Sequence, residues 1–135
     1  MEKIDDRKLW EMALEAKKNS YSPYSQFRVG AALLCQNGRV FQGCNIENAA
    51  YGVTNCAERS AFFSAISQGE RKFRAIAIVG GKDELINCYP CGTCRQVMAE
   101  FCDPYDFQII CGINKDNLEK MTLSEILPKS FEMQD

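Results

Sequence analysis

At 135 residues, with 46% hydrophobic and 25% charged positions, the chain carries enough apolar material for one domain with a buried core. A formal charge of −2 gives no electrostatic footprint for nucleic acid or an anionic membrane, and no apolar run approaches the ~20 residues that span a bilayer. The opening residues 1–6 lack the apolar stretch of a signal peptide, so a cytoplasmic protein is expected.

Asp6 reads as the N-cap of a first helix, in which Leu9, Met12, Ala13 and Ala16 recur at helical spacing up to Asn19-Ser20. Ser22-Pro23-Tyr24-Ser25 then forces a turn or an extended loop. Residues 27–35 are strand-like, Asn37-Gly38 is a hairpin signal, and residues 40–45 return as the partner strand. A polar, small-residue segment, 46–55, leads to Cys56. Beyond it, Ala57, Ala61, Phe62, Ala65 and Ile66 define a helix that Gly69 ends.

Residues 75–79 are wholly apolar and stop at Gly80-Gly81, which predicts a strand covered on both faces. A loop over 82–89 reaches a second cysteine-headed helix, from Cys91 to about Phe101. Residues 107–113 form another buried strand, 114–117 a turn, and Thr122 caps a short helix ending near Leu127-Pro128. The tail over 129–135 holds one aromatic, Phe131. Helices between buried strands, after an opening hairpin, predict a single α/β layered domain over 1–135 with a mixed sheet.

Eight cysteines and no histidine constrain the chemistry further. A disulfide framework suits exported, core-poor chains, and this chain is neither. Cys35, Cys44, Cys102 and Cys111 fall inside apolar patterns and read as small buried hydrophobes. Cys56, Cys91 and Cys94 do not. The first two fall at predicted helix starts, where unpaired N–H groups and the positive end of the dipole favour a thiolate. Three thiolates match zinc, leave a fourth tetrahedral position open, and acidify a water bound there. Glu58 lies two residues beyond Cys56, off its helical face, and fits an acid/base beside the metal better than a fourth ligand. Other readings stay open on spacing alone: a closed structural site that adds Cys88, an iron–sulfur run, or a Cys88–Cys91 redox pair.

Cys56-Ala57-Glu58 followed by Pro90-Cys91-Gly92-Thr93-Cys94 is the all-cysteine form of the zinc nucleobase deaminase pattern. The sequence closely resembles the small cytidine deaminases. The likeness covers nearly the whole chain, from Tyr24-Ser25-Gln26-Phe27-Arg28-Val29-Gly30 through Gly43-Cys44-Asn45-Ile46-Glu47-Asn48 and both cysteine segments to Ile126-Leu127-Pro128. It implies a three-layer α/β/α domain with a mixed five-stranded sheet. It also implies one zinc per subunit held by Cys56, Cys91 and Cys94, with Glu58 as proton shuttle. Asn45 and Glu47 match the pair that grips the ribose, Phe27 the aromatic against the pyrimidine, and the Ala57 backbone N–H a donor to the base carbonyl. Tyr89 stands where relatives carry serine, and its backbone carbonyl is expected to meet the leaving ammonia. Arg59 matches a residue near the thiolates, where a cation offsets part of their charge. Phe131 matches a residue that reaches a neighbouring subunit's pocket in a homotetramer. The implied activity is hydrolytic deamination of cytidine and 2′-deoxycytidine to uridine and 2′-deoxyuridine in pyrimidine salvage, with a small nucleoside and no nucleic acid as partner. A different cytosine-containing substrate, or a structural zinc module, is the alternative.

Overall fold

The central strand of the sheet, β3 (Phe73–Gly81), is buried from Ala75 to Gly81 because both of its faces are covered. A computed structural model describes residues 3–133. Met1 and Glu2 of the segment read as lacking an export signal lie outside the described residues, as do Gln134 and Asp135 of the tail. Before β3 come α1 (Asp6–Lys17), β1 (Arg28–Cys35), β2 (Val40–Cys44), a 3₁₀ turn at Tyr51–Val53 and α2 (Ala57–Ser67). After it come β4 (Leu85–Ile86), α3 (Gly92–Phe101), β5 (Gln108–Cys111), β6 (Glu119–Thr122) and α4 (Leu123–Ile126).

The sheet runs β2-β1-β3-β5-β6, with β4 also paired to β3. It is mixed: β1 joins β3 antiparallel, with Ala31 opposite Ile78, whereas β5 joins β3 parallel, with Ile76 opposite Ile109. Six strands therefore stand where five were expected. The residue patterns place only four of the six; the two short strands they do not announce are β4, inside the predicted loop over 82–89, and β6, just before α4.

Strand alternation sorts the core into two layers. Ala31, Leu33, Cys35, Ile76, Ile78 and Ile109 face α2 and α3, where they meet Ala61, Phe62, Cys94 and Met98. Ala32, Leu34, Ala75, Ala77, Val79 and Ile110 face α1, where they meet Leu9, Trp10 and Ala13. The result is α1, sheet, then α2 with α3. Trp10 Nε1 donates to Gly112 O at 3.0 Å, which ties α1 to the end of β5.

Local signals differ from the structure at three points. Asp5, not Asp6, is the N-cap of α1, with its carboxylate accepting from Lys8 N at 2.8 Å. β3 continues through Gly80 and Gly81, because the glycines answer a close approach rather than a stop. A Cβ at Gly81 would lie 2.0 Å from Glu84 O, where the chain folds back into β4. Cys44 is half-buried, whereas Cys35, Cys102 and Cys111 are in the core.

Candidate metal and catalytic site

Cys56 is the N-cap of α2 and Cys91 the N-cap of α3, each in extended conformation with no side-chain capping bond. Their sulfurs are thereby left free at helix starts that favour negative charge. The parallel β3–β5 pair sets α2 and α3 side by side on one sheet face, with their N-termini together. Cys56 Sγ lies 3.8 Å from Cys91 Sγ, and Cys91 Sγ lies 3.5 Å from Cys94 Sγ, one turn into α3. All three ligand atoms are within 4.8 Å of one another.

Two sulfurs bound at about 2.3 Å to one tetrahedral zinc stand about 3.8 Å apart, so this spacing and donor chemistry fit zinc directly. Three thiolates on a dication leave an excess negative charge. The structure sets a cation against it: Arg59 Nη2 donates to Cys56 Sγ at 3.1 Å, and Arg59 Nε is buried with no partner among the described residues. The Cys94 thiol, donating toward Cys56, lowers the Cys56 pKa, and Arg59 adds to that effect. The same contact raises Cys94. Cys88 is not in the group of three; burial pushes its thiol up to about 12.

Glu58 sits in the first turn of α2 and is 5% exposed. Burial pushes its carboxyl up to about 7, partly offset by its own backbone N–H. It lines a cleft of about 180 Å³ together with Asn45, Cys56, Ala57, Tyr89 and Cys91. Arg95 ties the start of α3 to α4, donating from Nε to Pro90 O and from Nη1 to Ile126 O, each at 2.7 Å.

The other expected contacts are spread more widely. Glu47 lines an adjoining hollow of about 310 Å³ with Tyr24, Ser25 and Tyr51, and Thr54 borders both spaces. Hydrogen bonds from Ser25 hold its carboxyl below the usual range. Phe27 borders a third hollow, beside Lys82 and Ile86, with its ring edge against Gly80. Phe131 is 70% exposed, and its carbonyl accepts from Gln96 Nε2 at 3.2 Å, so it does not join the cleft of its own chain. The Tyr89 hydroxyl turns away from the cleft chemistry and donates to Glu119 at 2.7 Å.

The sequence gives no chemical signal for Val29, Thr54 and Asn55, which also line the cleft. Asn55 is the one with a partial cue, an amide just ahead of a helix. It pairs with Ile46 through backbone bonds of 2.9 Å in both directions and so closes the segment before Cys56.

Residues 3–111 match the family model for the cytidine and deoxycytidylate deaminase zinc-binding region. The cytidine deaminase of Halalkalibacterium halodurans is 47% identical over 132 residues, covering 98% of both chains. That of Sporosarcina psychrophila is 45% identical over 132 residues, covering 98% of this chain and 95% of its own. Among solved structures, the cytidine deaminase from Burkholderia pseudomallei superposes with a TM-score of 0.86 at 42% identity, over 95% of this chain and all 100% of that one. The Mycobacterium tuberculosis enzyme gives 0.82 at 36% identity, over 96% and 99%. With this match in sequence and fold, and with three thiols spaced for zinc, the chain belongs to the zinc-binding cytidine and deoxycytidylate deaminase family.

Proposed function

We propose that the whole chain is one catalytic domain that hydrolyses cytidine and 2′-deoxycytidine to uridine and 2′-deoxyuridine, with release of ammonia. The observation that carries this reading is Glu58, a buried carboxyl lining the same cleft as two of three converging thiols. Cys56, Cys91 and Cys94 would hold the zinc, which would supply the acidity that makes water a nucleophile near neutral pH.

Glu58 takes a proton from the attacking water and delivers it to ring N3 as C4 becomes tetrahedral. Glu58 then takes the second proton from the new C4 hydroxyl and gives it to the exocyclic amine; the C4–N bond breaks, ammonia leaves, the C4 carbonyl forms and Glu58 is back in its starting state. The Ala57 N–H, in the first turn of α2 where no intrahelical acceptor exists, donates to the base carbonyl. The Tyr89 carbonyl receives the leaving ammonia, Phe27 packs against the ring, and Asn45 with Glu47 takes the sugar. Among the described residues lining the cleft and the adjoining hollow there is no lysine or arginine, which favours a nucleoside over a nucleotide.

Phe131, exposed on its own subunit, reaches the site of a neighbour in a homotetramer. Eight cysteines without a disulfide suit a reducing cytoplasm and a role in pyrimidine salvage.

The test is ammonia release from cytidine, with cytidine monophosphate alongside. Glu58→Gln keeps zinc and nucleoside binding and lowers turnover by about 10²–10⁴-fold. Stripping zinc with a chelator abolishes turnover in the parent, and restoring zinc restores it. Full turnover in Glu58→Gln would remove Glu58 from the mechanism.

A further inference from the structure

Both backbone polar groups of Phe27 are held by side chains rather than by a strand partner. Its N–H donates to Ser25 Oγ at 2.9 Å, and its carbonyl accepts from Asn45 Nδ2 at 2.8 Å. The Ser25 hydroxyl in turn donates to Glu47 Oε2. Glu47 Oε1 accepts from Tyr24 N at 3.0 Å and Ser25 N at 3.1 Å. Between Ser25 and Phe27, Gln26 sits at φ 60°, a left-handed conformation that a residue with a Cβ enters only when its surroundings impose it.

From this linkage we infer that Ser25 is a positioning residue. Its hydroxyl transmits the placement of Glu47 to Phe27, so that the aromatic against the base and the carboxylate against the sugar are set as one unit. The inference rests on the reading of Phe27 and Glu47 as base and sugar contacts.

Hydrogen-bond capacity agrees with a double duty. A carboxylate offers about four acceptor positions and an amide two donors. The loop takes three acceptor positions on Glu47 and one donor on Asn45. An acceptor and a donor remain for a sugar hydroxyl, so the substrate meets a carboxylate already oriented by the loop that carries Phe27. Removing the Ser25 hydroxyl strips the Phe27 N–H of its acceptor and Glu47 Oε2 of its donor together. Ser25 is exposed in a loop, so its variants leave the core untouched.

Two readouts test this. The first is amide hydrogen exchange at Phe27 in the zinc-loaded protein without substrate. Ser25→Ala accelerates it about tenfold or more, and Ser25→Thr, which keeps the hydroxyl, restores protection. The second is kcat/KM for cytidine, which falls about tenfold in Ser25→Ala. In a Phe27→Leu background the same change costs less than in the parent, because the ring it places is gone and only the Glu47 contact is left to lose. Unchanged exchange at Phe27 overturns the inference, and so does a full, additive loss in the Phe27→Leu background. A parent that shows the Ser25-dependent exchange yet releases no ammonia from cytidine refutes the deaminase reading and leaves the linkage standing.

Discussion

Gly43 lies on β2 opposite Ala31, at the point where that strand meets α2. An alanine Cβ there would fall 2.5 Å from Ala57 O, 2.5 Å from Ala61 N and 3.0 Å from Ser60 Cβ. Two of these are helix backbone atoms, which cannot rotate aside. Opening the 2.5 Å contacts to the 3.4 Å of ordinary packing requires α2 to retreat by about 0.9 Å. Overpacking of this kind costs about 2–3 kcal/mol. An unfolding entropy of about 2.1 cal/mol/K per residue converts that into a Tm lower by about 7–11 °C for a chain of this length.

The same retreat carries Cys56 and Glu58, which flank Ala57, away from Cys91 and Cys94. Zinc–sulfur distances tolerate only about 0.2 Å, so zinc affinity falls by about 10–100-fold. Thermal melts of chelator-treated protein read the packing cost alone, and zinc competition against a chromophoric chelator reads the metal cost. Gly30→Ala is the control: its Cβ would lie 2.1 Å from Ala13 O and 2.4 Å from Lys17 N, against α1 on the opposite face. It lowers the Tm but leaves zinc affinity unchanged. Equal zinc affinity in Gly43→Ala and the parent would refute the claim that α2 placement sets the metal site.

Cys88→Ala leaves the zinc content per chain unchanged, because its sulfur stands outside the group of three; loss of bound zinc would establish a closed four-sulfur site instead. Glu125 accepts from Thr122 N at 3.0 Å in the capping box of α4, and that bond with the Thr122 hydroxyl holds its carboxyl below the usual range. The resulting stability is present above the ordinary carboxylate pKa and fades as pH falls through the lower folded value. Melts of parent and Glu125→Ala therefore differ near neutral pH and converge in acid, and a gap independent of pH would contradict this.

Features written in local chemistry were legible in the sequence. Helical spacing after Cys56 and Cys91 located α2 and α3, because an amphipathic face repeats every few residues whatever lies opposite. Asn37-Gly38 marked the β1–β2 turn, where Gly38 adopts φ 94°. The apolar run 75–79 announced a strand covered on both faces. By contrast, β4 and β6 pair through backbone while exposing Ile86, Glu119 and Lys120, so no apolar alternation betrayed them. Two adjacent aspartates look alike in sequence, and only the extended backbone of Asp5 made it the cap.

The site divides along the same line. Residue type and spacing, read with the family resemblance, singled out the three cysteines and Glu58. Their convergence depended on the parallel pairing of β3 with β5, a long-range choice that neither cysteine segment encodes. The loop around Phe27 was decided by tertiary contacts as well. A serine, an asparagine and a glutamate are ordinary polar residues until folding brings positions about twenty apart into hydrogen-bond contact. The sequence by itself determined which atoms can bind metal and move protons, because that is a property of side-chain chemistry. Only the tertiary structure decided which of those atoms meet, because distance between segments is set by strand order and helix packing.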